Sequence, residues 1–539
     1  MSPSLFLLLL SFLFLPLHGA RILVLLPVPI RSHYSQIEIL LDTLATRGHQ
    51  VTLYSPFPAR SNLTNLHHVY VEMEEAKRAI ASMNHFDMLD NGLLGDTSFL
   101  SSLQYQLTMY QISLGMSKDI LQHPVIRDLL KSDAKFDLII AEFFFGQEPL
   151  AVFGHKFQAP MISHFSHSTP SHVFHSMGTP NLYSYMPDFH LALPTRMNFI
   201  QRLQNTLFGV FNPLALAWWY YPAQDLLMRE IAGTFTPPLP YIQTLLHNIS
   251  ATLVYSDPML EYPRAQIANL VPVGGIHLKT SQLPKDLVKL MSQSVSPHGV
   301  ILVSFGSMVS PSKMSPSLRD SLVRAFARTG LTVLWRWEGE PIENLPSNIH
   351  LRNWVPQQDV LAHTNCRMFI SHGGVSSILE TLHYGVPIVG VPLFNDQTAN
   401  IKHVVELGAG VLLSYFNMTE ESLSWATSTI LNDSSYKRNA QAAAQRFNDR
   451  QMPPLHNAIW WVEYVLRHHG APHLRSAFDH LSWTEFLLLD VLAFVLGVLL
   501  MILYLLLRIA RVVKSCLMYP FIGKGNEKTK ANKRKGKVE

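Results

Sequence analysis

The residues best suited to chemistry in this chain lie between Trp354 and Gln397. Arg367 to Ser371 reads as a buried strand, and Val375 to Tyr384 reads as a helix stopped by Gly385. Between them stands the turn His372-Gly373-Gly374. Two glycines let backbone N–H groups come close to a ligand, and the helix N-terminus adds partial positive charge. His372, Ser376 and Ser377 add side-chain donors, so the turn is an anion cradle of a size suited to a diphosphate. Glu380, about one and a half turns into the helix, can accept from a ribose diol. Trp354 can stack on a planar base. Asp396 and Gln397 offer an acceptor and an amide to sugar hydroxyls. A glycine-rich turn alone is equally a plain tight turn; the ordered set over 44 residues is what gives the pattern its weight.

These side chains need a scaffold that puts them at one edge. Arg21 to Pro27 (RILVLLP) is an apolar run of the kind buried on both faces of a parallel sheet. Ile37, Leu40, Leu41 and Leu44 follow at helical spacing, Gly48 ends that helix, and Val51 to Tyr54 reads as the next strand. Phe136 to Ala141 is a later strand of the same kind. A second start comes at Gly299 to Ser304, with a Gly/Ser turn at 305–307, a helix over 318–329 and a strand over 333–337. The fold class expected is α/β: two Rossmann-like, doubly wound halves, with ligands at the carboxyl ends of their strands and a cleft between them.

The Trp354-to-Gln397 set resembles the signature of the UDP-glycosyltransferase family, including the UDP-glucuronosyltransferases of animal endoplasmic reticulum. Arg47-Gly48-His49, Val303 to Met308 and Arg467-His468-His469-Gly470 match in the same order. The resemblance implies a GT-B fold, with the acceptor in the N-terminal half and a UDP-sugar in the C-terminal half. It implies that Trp354 stacks uracil, Gln357 sits beside the base, His372 contacts the diphosphate, Glu380 holds the ribose and Asp396-Gln397 hold the sugar. Ser307 and Arg336 then border the donor. Ser376 departs from the Asn usual in vertebrate members. The resemblance also marks His33 as the catalytic base, and its place in the loop after the first strand suits that role. The family usually sets an Asp after the strand matching Phe136 to Ala141; this chain has Glu142, which keeps the charge and changes the reach. A base on one face with UDP leaving from the other inverts the anomeric carbon. No HExxH or DxD pattern is present, and His67-His68 and His468-His469 lack partner ligands, so no metal is expected.

The ends carry a different message. Leu5 to Leu15 is an 11-residue apolar run before His18-Gly19-Ala20, which reads as a signal peptide. Residues 486–507 are long and apolar enough to span a bilayer. From Arg508 onward the charge is +8, so the rest of a +4 chain sums to −4. That asymmetry places the tail in the cytosol and the body in a lumen. Lys535 and Lys537 resemble a dilysine retrieval signal, and four sequons begin at Asn62, Asn248, Asn417 and Asn432. The expected order is signal peptide 1–20, acceptor domain 21–285, donor domain 286–450, returning helices 451–484, span 486–507 and tail 508–539. The localisation expected is the endoplasmic reticulum membrane, single-pass. The chain has 539 residues with 48% hydrophobic, 15% charged and two cysteines, which excludes a disordered chain, a disulfide scaffold and an iron–sulfur protein.

The partners expected are a UDP-sugar, a small lipophilic hydroxyl acceptor and one membrane, with no nucleic acid; self-association is open. UDP-glucose and UDP-glucuronate both suit Asp396-Gln397, and Arg264 is a candidate for a uronate carboxylate or a structural residue. Acceptor contacts are expected from residues 70–120 and 165–220. The aromatic stretch Phe199 to Pro222 suits a bilayer interface, an acceptor pocket or core packing. Rival readings are a sphingolipid glycosyltransferase and a non-catalytic lumenal UDP-sugar binder.

Overall fold

Among the described residues, thirteen strands form two wholly parallel sheets. The computed structural model describes residues 19–535 except 60, 93, 168–172, 174–176, 180, 262 and 280. The signal-peptide run Leu5 to Leu15 and residues 536–539 lie outside the described residues. The first sheet contains β1 (Arg21–Leu25), β2 (Gln50–Ser55), β3 (Leu66–Tyr70), β4 (Leu138–Ala141), β5 (Met161–Phe165), β6 (Ile249–Val254) and β7 (Leu270–Pro272), in the order β3-β2-β1-β4-β5-β6-β7. The second contains β8 (Val300–Ser304), β9 (Thr332–Arg336), β10 (Ile349–Arg352), β11 (Cys366–Ser371), β12 (Ile388–Gly390) and β13 (Gly410–Leu412), in the order β10-β9-β8-β11-β12-β13. The central strands are apolar along their whole length because helices cover both faces; β4 and β8 are buried at every residue.

Each sheet reverses its winding once, between β1 and β4 and between β8 and β11. At such a point the loops leaving neighbouring strands run to opposite faces and open a crevice at the carboxyl edge. Helix α1 (Arg31–Thr46) follows β1 and buries Ile37, Leu40, Leu41 and Leu44. Helix α2 (Phe199–Ala215) belongs to the first half. In the second half, α3 (Val375–Tyr384) follows β11 and α4 (Gln397–Glu406) follows β12. The chain then returns: α5 (Pro454–Arg467) packs on α1 and β6 of the first half, where Glu463 takes Arg47 at 2.7 Å.

Contacts gather the residues up to Arg475 into one unit that holds both sheets, and those from Ser476 into a second. The second differs from expectation at both ends. The chain turns at Leu488 (φ +53°) after a short helix, Trp483–Phe486, so the last helix, α6 (Leu489–Lys535), starts three residues later than the expected span of 486–507. It also runs on through the expected tail of 508–539 as far as Lys535. Lys and Arg are good helix formers, so charge ends the apolar stretch without ending the helix. The stretch apolar enough to cross a membrane is Leu489–Leu517.

Candidate active site

His33 and Glu142 meet at the first switch point. His33 was expected in the loop after β1; it stands instead on the first turn of α1, because nothing after Ile30 resists helix and the helix begins at Arg31. Glu142 follows β4, the neighbour of β1. His33 Nδ1 lies 2.9 Å from Glu142 Oε2. Glu142 is buried, and its other contacts are a hydrogen bond from Ser166 Oγ to Oε1 (2.5 Å) and one from Gln147 Nε2 to Oε2 (3.2 Å). Burial pushes this carboxyl up, but the charge and hydrogen bond of His33, with His164 and Ser166, outweigh it and hold the pKa at about 2. The carboxylate is therefore ionised, and it fixes the imidazole with Nδ1–H toward Glu142 and Nε2 free to take a proton.

His372 lies at the second switch point, directly after β11. Its ring is seated by two glycines. A Cβ at Gly306 or at Gly374 would come within 2.6 Å of ring atoms. Gly306 lies in the turn after β8, so the facing loops of the reversal pinch the ring between them. Burial, helped by the charge of Arg336, lowers the His372 pKa to about 4. The ring is therefore neutral at pH 7, and can meet an anion only as a hydrogen-bond donor.

Around it stand the other side chains expected at the donor end. Glu380 is buried on α3 and receives Gln357 Nε2 at 2.6 Å on one oxygen and His277 Nε2 at 3.1 Å on the other. Gln357 also donates to Ser377 Oγ at 3.1 Å, which leaves that hydroxyl its own proton to give. Trp354 is exposed, and the Arg336 guanidinium lies 5.2 Å from its ring centre, covering one face and leaving the other for a base. Arg336 Nη1 donates to the Gly306 carbonyl at 2.6 Å, and the guanidinium also pairs with Glu338. Asp396 is buried and accepts from Asn400 Nδ2 at 2.9 Å. Gln397 Oε1 accepts from the backbone of Leu393 and Phe394 at 2.9 and 3.2 Å, so its –NH₂ end is the one left for a ligand.

One cavity of about 1240 Å³ takes in both constellations. Its wall includes His33, Ser307, Arg336, Trp354, Gln357, His372, Gly374, Ser376, Ser377, Glu380, Asp396 and Gln397. Glu142 stands behind His33. The wall given by the first half mixes aromatic side chains, Phe144, Phe165, Phe189 and Tyr220, with polar ones such as Gln106, Glu148 and His167, and it also draws on Leu246, Ile249 and Thr252. Arg264 is not on this wall; its Nε lies 3.7 Å from Glu261.

Sequence reasoning missed Gln36, Ser166, Gln147 and His277. Gln36, one turn after His33, donates to the Ser166 carbonyl at 2.8 Å and to Ser376 Oγ at 3.3 Å, and so ties the His33 helix to the anion cradle. Its helical spacing from His33 was a usable signal. Ser166 and His277 carry no local signal, because only the strand order brings the end of β5 beside β4, and only the path of the linker brings His277 to Glu380.

Residues 21–520 match the family described as "UDP-glucoronosyl and UDP-glucosyl transferase". The chain is a member of the UDP-glycosyltransferase family. UDP-glucosyltransferase 2 of Dactylopius coccus is 36% identical to this transferase over 480 residues, 89% of this chain and 90% of that one. The 2-hydroxyacylsphingosine 1-beta-galactosyltransferase of Mus musculus is 32% identical, covering 89% and 85%. Human UDP-glucuronosyltransferase 1A1 is 31% identical, covering 96% and 95%. The solved structure of the glycosyltransferase VinC with dTDP superposes with a TM-score of 0.55 at 16% identity, covering 83% of this chain and all of that one. At that identity the likeness shows the fold alone: the transferase has two Rossmann-like domains in the GT-B arrangement.

Proposed function

We propose that this transferase moves glucose or glucuronic acid from a UDP-sugar to the hydroxyl of a small lipophilic acceptor with inversion, held on the endoplasmic reticulum membrane with its body in the lumen. The observation that carries the reading is the His33–Glu142 pair at 2.9 Å on the same cavity as His372 and Glu380.

In this reading the acceptor hydroxyl sits against His33 Nε2. As its oxygen attacks the anomeric carbon, its proton passes to His33, and the imidazolium formed is stabilised by Glu142. The bond from that carbon to the UDP oxygen breaks, and the leaving charge falls on the α3 N-terminus, His372 and the hydroxyls of Ser376 and Ser377. Trp354 and Gln357 hold the base, Glu380 the ribose, and Asp396 with the –NH₂ of Gln397 the hexose; Ser307 and Arg336 border the donor. An α-linked donor gives a β-glycoside. No metal enters this scheme, so activity in chelator equals activity without it, and a loss restored by Mn²⁺ would overturn that part.

UDP-glucose is favoured as donor. Asp396 and Gln397 suit either sugar, but Arg264, the candidate partner for a uronate carboxylate, lies off the cavity wall against Glu261. The relative at 36% identity is named a UDP-glucosyltransferase. Glucuronate is the second reading, since a glucuronosyltransferase covers 96% of the chain. Both donors offered side by side with a phenol decide between them: faster glucoside formation supports the first, faster glucuronide the second, and no product from either sinks the catalytic reading. Activity on ceramide but not on phenol would move the acceptor to the sphingolipid class named for the mouse relative. The membrane reading draws on the Leu489–Leu517 stretch, the apolar run Leu5 to Leu15 and the basic, lysine-ended tail.

A further inference from the structure

Helix α2 (Phe199–Ala215), with the π-helical turn Leu216–Tyr220 that continues it past Pro213, is built inside out. Its inner face carries Asn205 and Asn212, each 0% exposed, beside Phe208 and Gly209. Asn205 is satisfied within the body, and Asn212 is bonded there through its oxygen. Asn205 donates to the carbonyls of Tyr183 and Met186 and accepts from the Asp188 N–H, all at 2.8 Å, and Asn212 Oδ1 accepts from Tyr110 Oη at 3.3 Å. The outer face carries Phe199, Leu203, Leu207, Val210, Leu214 and Trp218, from 37% to 78% exposed. From Met197 to Gln224 the sole charged residue is Arg202.

A helix whose surroundings are water turns its apolar stripe inward and its polar residues out. The reverse arrangement is stable where the outer solvent is itself apolar and polar groups must find partners in protein. We propose that the Phe199–Trp218 face is a membrane-docking surface, lying flat in the boundary between headgroups and acyl chains of a lipid bilayer. Its inner side is packed on the body, so the helix lies on the membrane without crossing it. Aromatic side chains at both ends, Phe199 and Trp218, suit that interfacial depth. The proposal rests on the membrane-anchored reading, because a chain spanning a bilayer through Leu489–Leu517 meets lipid as the apolar solvent at hand. A protein partner is disfavoured by the face itself, which offers almost no charge or unsatisfied polar group to fix a register. The same segment gives Leu216 and Tyr220 to the acceptor side of the cavity, so a greasy acceptor dissolved in the bilayer arrives beside the wall it must pass.

The test uses the full chain in phosphatidylcholine vesicles, with Cys516→Ser and one new cysteine carrying an environment-sensitive fluorophore. Cysteines are placed at Leu207, at Val210 and, as an exposed control, at Glu421. Labels at 207 and 210 are expected to shift to the blue and to lose emission about twofold or more with nitroxide-bearing lipid, with no change at 421. Adding Leu207→Glu should abolish quenching at 210 while leaving thermal melting in place. A chain that floats with vesicles but keeps water-like emission at 207 overturns the docking face and leaves the span standing. A blue shift that nitroxide lipid cannot quench overturns it in favour of a second copy or another protein. A chain that does not float at all overturns both readings.

Discussion

Glu142 combines near-complete burial with a full negative charge, and its three hydrogen-bonding neighbours explain how. His33, Ser166 and Gln147 replace the water it lost. In the proposed mechanism that charge stabilises the imidazolium formed as the acceptor proton is taken. Glu142→Gln keeps the volume and removes the charge, so kcat should fall about 10²- to 10⁴-fold while UDP affinity by calorimetry stays the same. A variant turning over at the parent rate would break the pair. Buried histidines add an acid-side prediction. Burial lowers His164 and His372 to about 4, whereas in the unfolded chain they titrate near 6.5. Between those values the unfolded state binds more protons, so their contribution is whole above pH 6.5 and drains away as pH falls toward 4. Glu142 acts lower down, with a contribution whole above 4.5 and lost as pH falls toward about 2. Melting temperature should thus decline from pH 6.5 to 5, and His164→Gln should flatten that decline; an equal slope in the variant contradicts the assignment.

The second switch point depends on what its loops lack. Gly374 has φ −59°, a conformation any residue adopts, so Gly374→Ala adds a methyl group with no backbone strain. That methyl would meet the His372 ring. The variant should lose UDP affinity about tenfold with little change in melting temperature, because the ring must leave its seat. In a His372→Ala background the same change should cost almost nothing, and an undiminished cost there would show that the methyl acts elsewhere. The helix α3 itself was readable in advance from its apolar spacing and the Gly385 stop, and it runs Val375–Tyr384 as expected. The start of α1 was not. Helix starts are set by which residues can cap or shield the first N–H groups, and Ile30 gives no side-chain cap, so no sequence signal marked the boundary that puts His33 on a helix.

At the scale of the whole body, the two sheets belong to one unit, tied by the returning α5 and by side chains that reach across. Arg450, at the end of the second half, pairs with the buried Asp257 at 2.7 Å and donates to the Gly274 carbonyl at 2.8 Å in the first half. Arg450→Met would leave Asp257 buried and unpaired, at a cost of about 3 kcal/mol. The expected result is a lower melting temperature for the body with the donor KM little changed, measured by calorimetry and steady-state kinetics. Two separate transitions in the parent protein would instead mean that the halves fold independently.

The two-sheet α/β architecture was determined by the sequence, because buried parallel strands need unbroken apolar runs, and the side chains proposed for the donor could be named from it because an anion cradle needs glycines and donors in a fixed local order. Those constraints act within a few dozen residues, where spacing alone expresses them. Strand order acts over a hundred residues or more, and only the tertiary structure decided it. It set β4 beside β1, so that Glu142 reached His33 across 109 positions, and the packing of the two halves brought Gln36 to Ser376 across 340. Tertiary packing also decided which face of Phe199–Ala215 points outward. The sequence pattern of that helix shows only that its two faces differ; packing the asparagines inward, where backbone carbonyls and the Tyr110 hydroxyl await them, is what turned its apolar side to the solvent.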